Sequence, residues 1–424
     1  MKWHQVEMGK VAVVVSGYGF PRECQGLTNE EFPFFKVGDM NLPGNEKCMT
    51  TIANTISATT LKKLKAKAFP KGTVIFPKIG AAIATNKKRV LTQPSVVDNN
   101  VMGLIPKSQV NSWYLYYWML QFDLRSVSNI GPVPSIRKTE VERVSIPLPP
   151  PSEQRRIVEI LDQADALRKK RAEADAKAAR ILPALFYKMF GDPATNPKGW
   201  PVKRLGDPKV ATVNPRFDGN GIPAEREFSF VPMADVDEVW GRIVGTQVRP
   251  YSAVMRGFTP FKDNDVMFAK ITPCMQNGKA AIARKLVGGH GFGSTEFHIL
   301  RAGPEATPEW LFALVRMAWF RRQAEASFTG TAGQQRVPAD FLVRYEIPCP
   351  PLGLQQAFAK AVGCIAEWVE QTERVRRRTN DLFSSLLHSA FTGDLTAKWR
   401  EAHMKELLQE MEQQANALNL RMQS

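Results

Sequence analysis

The sequence predicts an α+β protein in which two mixed α/β domains are joined by two long antiparallel helices that form a coiled-coil spacer. The whole molecule is predicted to be pseudo-two-fold symmetric. Its length of 424 residues is typical of two or three domains. Two similar segments, "IPLPPPSEQRRIVEILDQAD" and "IPCPPLGLQQAFAKAVGCIA", begin at Ile146 and Ile347, about 200 residues apart. Each places a strand-like end and several prolines before a long helical pattern. A duplicated module, a globular domain followed by a helix, accounts for these observations.

Other matches between the two copies follow the same order along the chain. The openings "WHQVEMGKVA" and "WPVKRLGDPKVA" correspond loosely, and "TVIFPKI" in the first copy resembles "DVMFAKI" in the second. Chance supplies any one match, but several in the same order indicate a repeat. We therefore predict a first globular domain at 1–151, a first helical spacer at 152–196, a second globular domain at 197–352, and a second helical spacer with the C-terminal tail at 353–424.

The globular part of each copy is predicted to mix strands and helices. Segments such as "GTVIFPKIGAAIAT" are rich in β-branched and aromatic residues and are interrupted by Gly and Asn, which indicates strands and hairpins. The segments at 111–122 and 307–325 are apolar and begin at capping residues, which indicates helices. Their tryptophans lie at helical spacing, which favours the core over a role in stacking on bases; they are Trp113, Trp118, Trp310 and Trp319.

Two long helices are predicted after the proline-rich segments. Their apolar residues alternate at spacings of three and four, the pattern of a coiled-coil seam. The first pattern covers about 30 residues, or roughly 45 Å of helix, more than one small domain can cover. Each helix is therefore expected to pair with the other, and Pro183 is expected to end or kink the first. The residues predicted to pair are Ile157, Ile160, Leu167, Ile181, Phe358, Ile365, Trp368 and Val375.

Composition points to a polyanionic partner. The formal net charge is +16 and the isoelectric point is about 9.6, so the protein is expected to attract nucleic acid. The five cysteines are scattered and never form a CxxC pair, which argues against a disulfide framework or a structural zinc. No apolar run is long enough to span a bilayer, and the N-terminus lacks the pattern of a signal peptide. We expect a cytoplasmic protein with reduced thiols.

No motif in the sequence assigns a catalytic residue or a metal ligand. The glycine-rich segment at 288–297 superficially suggests a phosphate loop, but the strand-like "EFHIL" follows it. The segment "NPRF" at 214–217 lacks the second proline of the tetrapeptide used by amino-methyltransferases. The five histidines are isolated and have no metal-ligand spacing.

Four polar, basic loops are the candidate DNA-binding sites, at 84–89, 128–138, 270–279 and 329–336. Arginine can pair with guanine and Asn or Gln with adenine, whereas lysine mainly meets phosphate. The alternative is a set of solvated turns, since Gly, Ser and Asn mark turns in all proteins. The candidate residues are Asn86, Lys87, Lys88, Arg89, Asn129, Ser135, Arg137, Lys270, Gln276, Asn277, Thr331, Gln334, Gln335 and Arg336.

Four motifs resemble the specificity subunit of type I restriction–modification systems. They are "IPLPPPSEQRRIVEILDQAD", "ALFYKMFGDPATNPKGWPVKRLGD", "GFGSTEFHILR" and "LLHSAFTGDLTAKWRE". Together with the duplication, the resemblance covers nearly the whole chain. There are two departures: "PPLGLQQ" in the second copy lacks the acidic residue of "PPPSEQR" in the first, and the loop "SNIGPVPSIRK" of the first copy is less rich in Gln than "TGTAGQQR" of the second.

The resemblance implies two target recognition domains, each binding one half of a bipartite, asymmetric double-stranded DNA target. It implies that the helices set the gap and dock two methyltransferase subunits, with restriction and translocase subunits joining through the complex. The chain would be the non-catalytic targeting subunit of a DNA adenine methyltransferase and ATP-dependent endonuclease. It would bind no cofactor, and S-adenosylmethionine, ATP and Mg would belong to partner subunits. The alternatives are a stand-alone, repressor-like DNA-binding regulator and a coiled-coil scaffold, which leaves the charge of +16 unexplained.

Overall fold

The computed structural model describes residues 2–129, 131–331 and 333–420. The chain forms two compact units. The first contains the chain up to Lys169 together with the part from Arg377 onwards, and the second is Lys170–Arg376. Each unit therefore holds one globular part and pieces of both long helical segments, whereas the linear division predicted above separates globular parts from helices.

The helices of the described residues are numbered in chain order. They are α1 (Met8–Val11), α2 (Ala58–Lys63), α3 (Ser112–Gln121), α4 (Lys138–Glu142), α5 (Pro151–Ala178), α6 (Ile181–Phe190), α7 (Tyr251–Val254), α8 (Pro308–Arg316), α9 (Ala318–Ala326), α10 (Ala339–Arg344), α11 (Leu352–Thr392), α12 (Ala397–Ala402) and α13 (Met404–Ala417).

The strands of the first unit form a five-stranded sheet of order β2-β9-β6-β7-β4, a three-stranded sheet of order β5-β3-β8, and a separate pair, β1-β10. Their bounds are β1 (His4–Glu7), β2 (Ala12–Ser16), β3 (Phe32–Phe35), β4 (Cys48–Met49), β5 (Thr55–Ile56), β6 (Val74–Pro77), β7 (Arg89–Leu91), β8 (Val96–Val97), β9 (Val101–Pro106) and β10 (Ser145–Leu148).

The second unit has two four-stranded sheets, of orders β12-β19-β16-β17 and β14-β13-β18-β15, and the pair β11-β20. The bounds are β11 (Val202–Arg204), β12 (Ala211–Val213), β13 (Glu227–Val231), β14 (Gln247–Pro250), β15 (Thr259–Lys262), β16 (Val266–Ala269), β17 (Ala280–Ile282), β18 (His290–Gly293), β19 (Phe297–Ala302) and β20 (Glu346–Pro348).

The two units repeat one topology. In the first, β6 lies between β9 and β7 and is antiparallel to both, as β16 is to β19 and β17 in the second. Each copy also contains one corresponding pair of parallel strands, which is β3 with β8 in the first and β13 with β18 in the second. Each unit has an antiparallel pair between its first and last strands, with Val6 opposite Ile146 and Lys203 opposite Ile347. The mixed α/β class with a duplicated globular part is confirmed, and the strand predicted for "EFHIL" is β19.

The prolines mark the change from strand to helix in both copies. Strand β10 ends at Leu148 and α5 begins at Pro151, and β20 ends at Pro348 while α11 begins at Leu352. Proline has no N–H for a strand ladder, yet it fits the first turn of a helix, where that N–H has no helical partner.

The long helices are antiparallel, as predicted. Within the first unit, Arg400, which follows α11, donates to Glu153 near the start of α5 at 2.7 Å. Further along α5, Arg168 donates to Asn380 of α11 at 3.1 Å. The residue numbers of the contacting residues therefore fall as the residue numbers along α5 rise, which is the order expected for antiparallel segments. Within the second unit the start of α11 packs on α6, where the rings of Phe358 and Phe190 have centroids 5.1 Å apart.

The predicted seam is only partly correct. Ile157 and Phe358 are fully buried, and Ile160 and Ile365 are half-buried, but the other four predicted residues are substantially exposed: Leu167 58%, Ile181 46%, Trp368 39% and Val375 50%. In α5 the buried row is Ile157, Leu161 and Ala164. Apolar spacings that alternate between three and four residues can begin with either spacing. From Ile157 the buried residues follow at a spacing of four and then three, whereas the predicted seam began with a spacing of three.

Two local predictions are confirmed. The first long helix is interrupted between Ala178 and Ile181, and Pro183 lies in the first turn of α6. Trp118 and Trp310 are 6% and 1% exposed, so they belong to the core, and the half-buried Trp113 and Trp319 pack against the same apolar clusters. Among the described residues, no helix is long and apolar enough to cross a membrane.

Candidate nucleic-acid interface

The loop at 84–89 is organised around Asn86. This residue lies in the left-handed region, with φ of 51°, and its Oδ1 accepts hydrogen bonds from Lys88 Nζ at 2.7 Å and from the Leu124 amide at 3.0 Å. Lys88 also donates to the Phe122 carbonyl at 2.6 Å and is 1% exposed. Burial lowers the pKa of Lys88 to about 8. Lys88 and Asn86 therefore hold the loop in place, and the prediction that Lys88 meets phosphate is wrong because its ammonium is buried.

The neighbouring cations of this loop also have protein partners. Arg89 donates from Nη1 to the Lys88 carbonyl at 2.8 Å and from Nη2 to the Met40 carbonyl at 3.0 Å, and burial lowers its pKa. Lys87 is half-buried and donates to the side chain of Asn41. A surface hydrogen bond of this kind exchanges readily with water or phosphate. Lys87 therefore stays a candidate phosphate contact, whereas Arg89 supports the loop.

The loop at 128–138 is closed by a short-range network, with Ile130 outside the described residues. Asn129 Oδ1 accepts from the Ser135 amide at 2.6 Å and from the Ser135 hydroxyl at 3.2 Å. Arg137 is exposed just before α4, and no partner of its guanidinium is found within the described parts of the chain. Arg137 is therefore the candidate in this loop whose charge is available to a ligand, whereas Asn129 and Ser135 hydrogen-bond to each other.

The loop at 270–279 is tied to neighbouring elements. Gln276 Oε1 accepts from the Thr272 hydroxyl at 2.5 Å, and its Nε2 donates to Glu325 Oε1 at 2.7 Å. Asn277 donates to Glu238 at 3.3 Å. Lys270 is half-buried, its amide donates to the Glu296 carbonyl at 2.9 Å, and its carbonyl accepts from the Val337 amide at 2.9 Å. The amide groups of this loop are therefore engaged in structure.

The loop at 329–336 is a hairpin, with Ala332 outside the described residues. The backbones of Thr329 and Arg336 pair at 2.9 and 3.0 Å. The guanidinium of Arg336 forks onto both carboxylate oxygens of Glu296 at 2.9 Å and also donates to the Gln334 carbonyl at 2.8 Å. This pairing lowers the pKa of Glu296. The guanidinium of Arg336, a candidate for pairing with guanine, is thus already bound to Glu296. Thr331 and Gln334 are exposed, and Gln335 is half-buried.

Sequence reasoning missed a basic cavity of about 250 Å³ in the second unit. Its lining includes the cationic side chains Arg216, Lys262 and Arg301, the imidazole of His290, the carboxylate of Asp218 and the ring of Phe217. Arg301 forks onto the buried Asp265 at 2.8 and 2.7 Å, whereas Arg216 and Lys262 are exposed. The signal in the sequence is "NPRF" at 214–217, which places an arginine and a phenylalanine side by side in a polar segment. Cations around a concave surface can hold a phosphate group.

Among the described residues no group of three or more His, Cys, Asp or Glu could hold a metal ion. His298 is buried, its Nε2 donates to the Val337 carbonyl at 2.8 Å, and burial lowers its pKa. It therefore stays neutral inside the protein and is placed as a structural group.

The first part of the chain is similar to known proteins. The family model described as "Type I restriction modification DNA specificity domain" matches residues 1–175. The specificity subunit of the type I restriction enzyme EcoEI of Escherichia coli is 34% identical over 176 residues, 41% of this chain and 29% of the relative. The EcoAI specificity subunit of the same organism is 31% identical over 47% of this chain and 33% of the relative. The matches thus span about a third of these relatives.

A solved structure extends the likeness in fold to nearly the whole chain. It comes from work on complex assembly and conformational transition of the type I R-M system, and it superposes with a TM-score of 0.51 at 17% sequence identity. The match covers 93% of this chain and 98% of the other. At this identity the likeness concerns the fold.

Proposed function

We propose that the chain is the DNA specificity subunit of a type I restriction–modification complex, since the model of the type I restriction modification DNA specificity domain matches residues 1–175. Each globular unit binds one half of a bipartite, asymmetric target in double-stranded DNA. The long helices set the number of base pairs between the two halves.

The observation that carries this proposal is the repeat of one recognition topology in two units, each followed by a long helix at a proline-rich segment. Two similar domains on helical spacers suit two half-sites on DNA, where the distance between the domains determines the distance between the half-sites. The charge of +16 supports DNA as the ligand.

The two half-sites are expected to differ. The loop at 84–89, between β6 and β7, is built on Asn86 and the buried Lys88, whereas the corresponding loop at 270–279, between β16 and β17, is built on Gln276 and Asn277. Different side chains at corresponding places present different donors and acceptors to base edges. The target should therefore be asymmetric rather than palindromic.

The proposed DNA contacts are the charged and polar side chains that the fold leaves accessible to a ligand. Lys87, Arg137 and Lys270 from the original set, with Arg216 and Lys262 at the cavity, are proposed to meet phosphates. The exposed polar groups Thr331, Gln334 and Gln335 are proposed to face bases. The remaining members of the original set hold the loops that present these groups.

The proposed partners and cofactors follow from the same role. Methyltransferase subunits, two in the expected complex, dock on the helices, and restriction and translocase subunits join through that complex. The chain itself is proposed to be non-catalytic and to bind no cofactor, with S-adenosylmethionine, ATP and Mg held by partner subunits. The complex is proposed to work in the cytoplasm.

The test is to express the chain with a methyltransferase encoded beside it and to map methylated bases in the host DNA. Co-purification and a split, asymmetric methylation motif that disappears when this gene is removed are expected. A chain that binds DNA alone and leaves the methylation pattern unchanged would contradict the proposal and would favour a repressor-like regulator.

A further inference from the structure

In the first unit, Lys47 reaches from the globular part to α5. Its ammonium lies 3.0 Å from Oδ1 of Asp162 and 3.0 Å from Oδ2 of Asp165, and it donates to the hydroxyl of Tyr117 on α3 at 2.8 Å. The Tyr117 hydroxyl in turn donates to Asp162 at 2.5 Å. The ammonium also lies 5.0 Å from the centroid of the Trp113 ring. Lys47 thus connects its own loop, α3 and α5.

The loop that carries Lys47 is held at its base by Asn45, which is fully buried. The Asn45 amide donates to the carbonyls of Asp39 and Thr51, both at 2.9 Å, and accepts from the amides of Thr50 and Thr51, both at 2.7 Å. A side-chain amide has two donor hydrogens and two lone pairs, so all its capacity is used. Lys47 therefore starts from a fixed backbone. We call residues 42–47 the first strap.

A segment of the second unit reaches α11 in a comparable way. Arg242 Nη2 lies 3.2 Å from Oε2 of Glu373 on α11. The rings of Trp240 and Trp368 meet edge to face, with centroids 6.3 Å apart and an interplanar angle of 76°. An edge-to-face pair is a favourable and directional aromatic contact. We call residues 237–242 the second strap.

The second strap is also held by its own globular part. Arg316 at the end of α8 donates from Nη2 to the carbonyls of Glu238 at 3.0 Å and Val239 at 2.7 Å. Gly241 has φ of +66°, and a Cβ at this position would collide with the Arg316 guanidinium. The strap therefore closes over Arg316 in one conformation, which only a glycine at 241 permits.

The straps occupy the same place in the repeat although their helix-contacting residues differ. Each follows the strand of the parallel pair, β3 or β13, and then a short 3-10 turn, at Val37–Asn41 or Met233–Asp235. The sequences leading into them, "FFKVGDMN" and "FVPMADVD", correspond. One unit uses lysine against two carboxylates, and the other uses tryptophan and arginine. The same attachment is thus made twice with different chemistry.

Each strap is a second attachment of a globular part to its helix. The first attachment is at the helix start, where Gln154 of α5 and Gln355 of α11 are buried against the globular part. Along the helix, the first strap lies about 12–16 Å beyond Gln154, and the second about 20–27 Å beyond Gln355, at 1.5 Å per residue. Beyond these glutamines, Ile157, Leu161 and Ala164 of α5, and Phe358 and Val362 of α11, pack on the core of the globular part. Each strap adds a contact at the far end of this packed segment, where a contact limits tilting most.

We propose that the two straps are positioning elements that fix the tilt of each recognition domain on its helix and thereby sharpen discrimination between DNA targets of different gap length. This inference rests on the proposed function. The strap contacts are partly exposed, with 29% of the Lys47 side chain accessible, so such ion pairs add little to fold stability and their effect lies in orientation. Lys47, Asp162, Trp240 and Trp368 are thus specificity-determining residues that do not themselves meet DNA.

The main test removes the carboxylates on the helix, because these changes take no positive charge from a DNA-facing surface. The double variant Asp162→Asn and Asp165→Asn is compared with a control, Glu159→Gln and Glu173→Gln, which changes the net charge equally on the same helix. Glu159 pairs with Arg156 of the same helix at 3.1 Å, and Glu173 is exposed, so neither reaches a strap.

The readout is the affinity of the methyltransferase complex for duplexes that carry both half-sites with the natural gap, or with a gap one base pair shorter or longer. For the Asp162 and Asp165 variant we expect natural-gap binding within about twofold of wild type and a loss of gap preference of about three- to tenfold. The control should keep the wild-type preference. Lys47→Arg, which keeps the cation, should also keep it.

Unchanged gap preference in the Asp162 and Asp165 variant would overturn the inference while leaving the proposed function intact. A wild-type complex that binds neither half-site would overturn both. Should the double variant fail to fold by circular dichroism, Trp368→Ala tests the second strap against Leu382→Ala, an exposed leucine of the same helix. Equal gap preference in these two variants would likewise overturn the inference.

Discussion

Gln154 and Gln355 make the same three hydrogen bonds in the two units. Gln154 donates from Nε2 to the carbonyls of Gln109 and Pro149, at 3.0 and 2.9 Å, and accepts at Oε1 from the Asn111 amide at 2.7 Å. Gln355 repeats this set on corresponding residues, with carbonyl contacts at 2.9 and 2.8 Å and an amide contact at 3.0 Å; they are Glu305, Pro350 and Thr307. Each glutamine joins the proline-rich segment, the start of a long helix and the cap of the α3 or α8 helix.

Gln355→Ala is expected to lower the free energy of unfolding by about 2–4 kcal/mol, because it leaves several buried backbone groups without partners. Urea denaturation of the purified chain measures the change. Gln356→Ala removes an exposed glutamine next to it and should change stability by less than about 0.5 kcal/mol. Equal effects of the two variants would show that the buried hydrogen bonds contribute little.

Lys88 should make stability depend on alkaline pH. Its pKa is about 8 in the folded protein, below the ordinary lysine value of 10.5, so the unfolded chain binds more protons between these values. The cost of burying the ammonium is therefore present below pH 8 and is relieved as the pH rises towards 10.5. We expect Lys88→Met to remove this stability gain, of about 1–3 kcal/mol, in denaturation curves at pH 7.5 and 10. Parallel pH curves for both proteins would contradict the assignment.

Arg336→Ala should leave the methylated motif unchanged, because its guanidinium is held by Glu296 rather than free for a base. It should instead lower stability at neutral pH. Arg336 depresses the pKa of Glu296, so the pair stabilises the fold above the ordinary carboxyl range and loses this contribution as the pH falls through the folded pKa. Methylome sequencing and denaturation at pH 7 and pH 3.5 test both parts. A motif relaxed at one base pair would show that Arg336 reads that base.

The salt dependence of DNA binding should reveal the phosphate contacts. Each phosphate contact removed is expected to reduce the log–log salt slope by about 1. Arg216→Ala with Lys262→Ala should therefore reduce it by about 2, and Lys87→Ala by about 1. Lys360→Ala, on the exposed face of α11, is the control and should leave the slope unchanged. A wild-type slope in the double variant would remove the cavity from the proposed interface.

An insertion of four residues near Ala176 in α5 should change the gap but keep both half-sites. Four helical residues add about 6 Å, and one base-pair step of B-DNA is about 3.4 Å, so the gap should change by one or two base pairs. The insertion also adds about 40° of rotation beyond a full turn, so weaker binding is expected. Methylome sequencing gives the new motif. An unchanged gap, or altered half-sites, would show that this helix does not set the spacing.

The sequence by itself determined what depends on neighbours along the chain. The prolines after Leu148 and Pro348 end a strand and begin a helix by their own geometry, and the interruption before Pro183 follows from the same cause. The duplication and the core position of Trp310 were likewise visible, because repeats and helical spacing are linear patterns. These features sufficed for the fold class.

Only the tertiary structure decided which charged groups are available. Lys88 and Arg336 look like free cations in polar loops, but their partners, Phe122 and Glu296, lie 34 and 40 residues away in the chain. The strap contacts cannot be read from the sequence for the same reason, since Lys47 and Asp162 are 115 positions apart in the chain. Whether a charge faces solvent or a partner depends on which distant segments the fold brings together. A linear pattern carries no record of that proximity, so composition could indicate DNA binding while the individual contacts had to come from the structure.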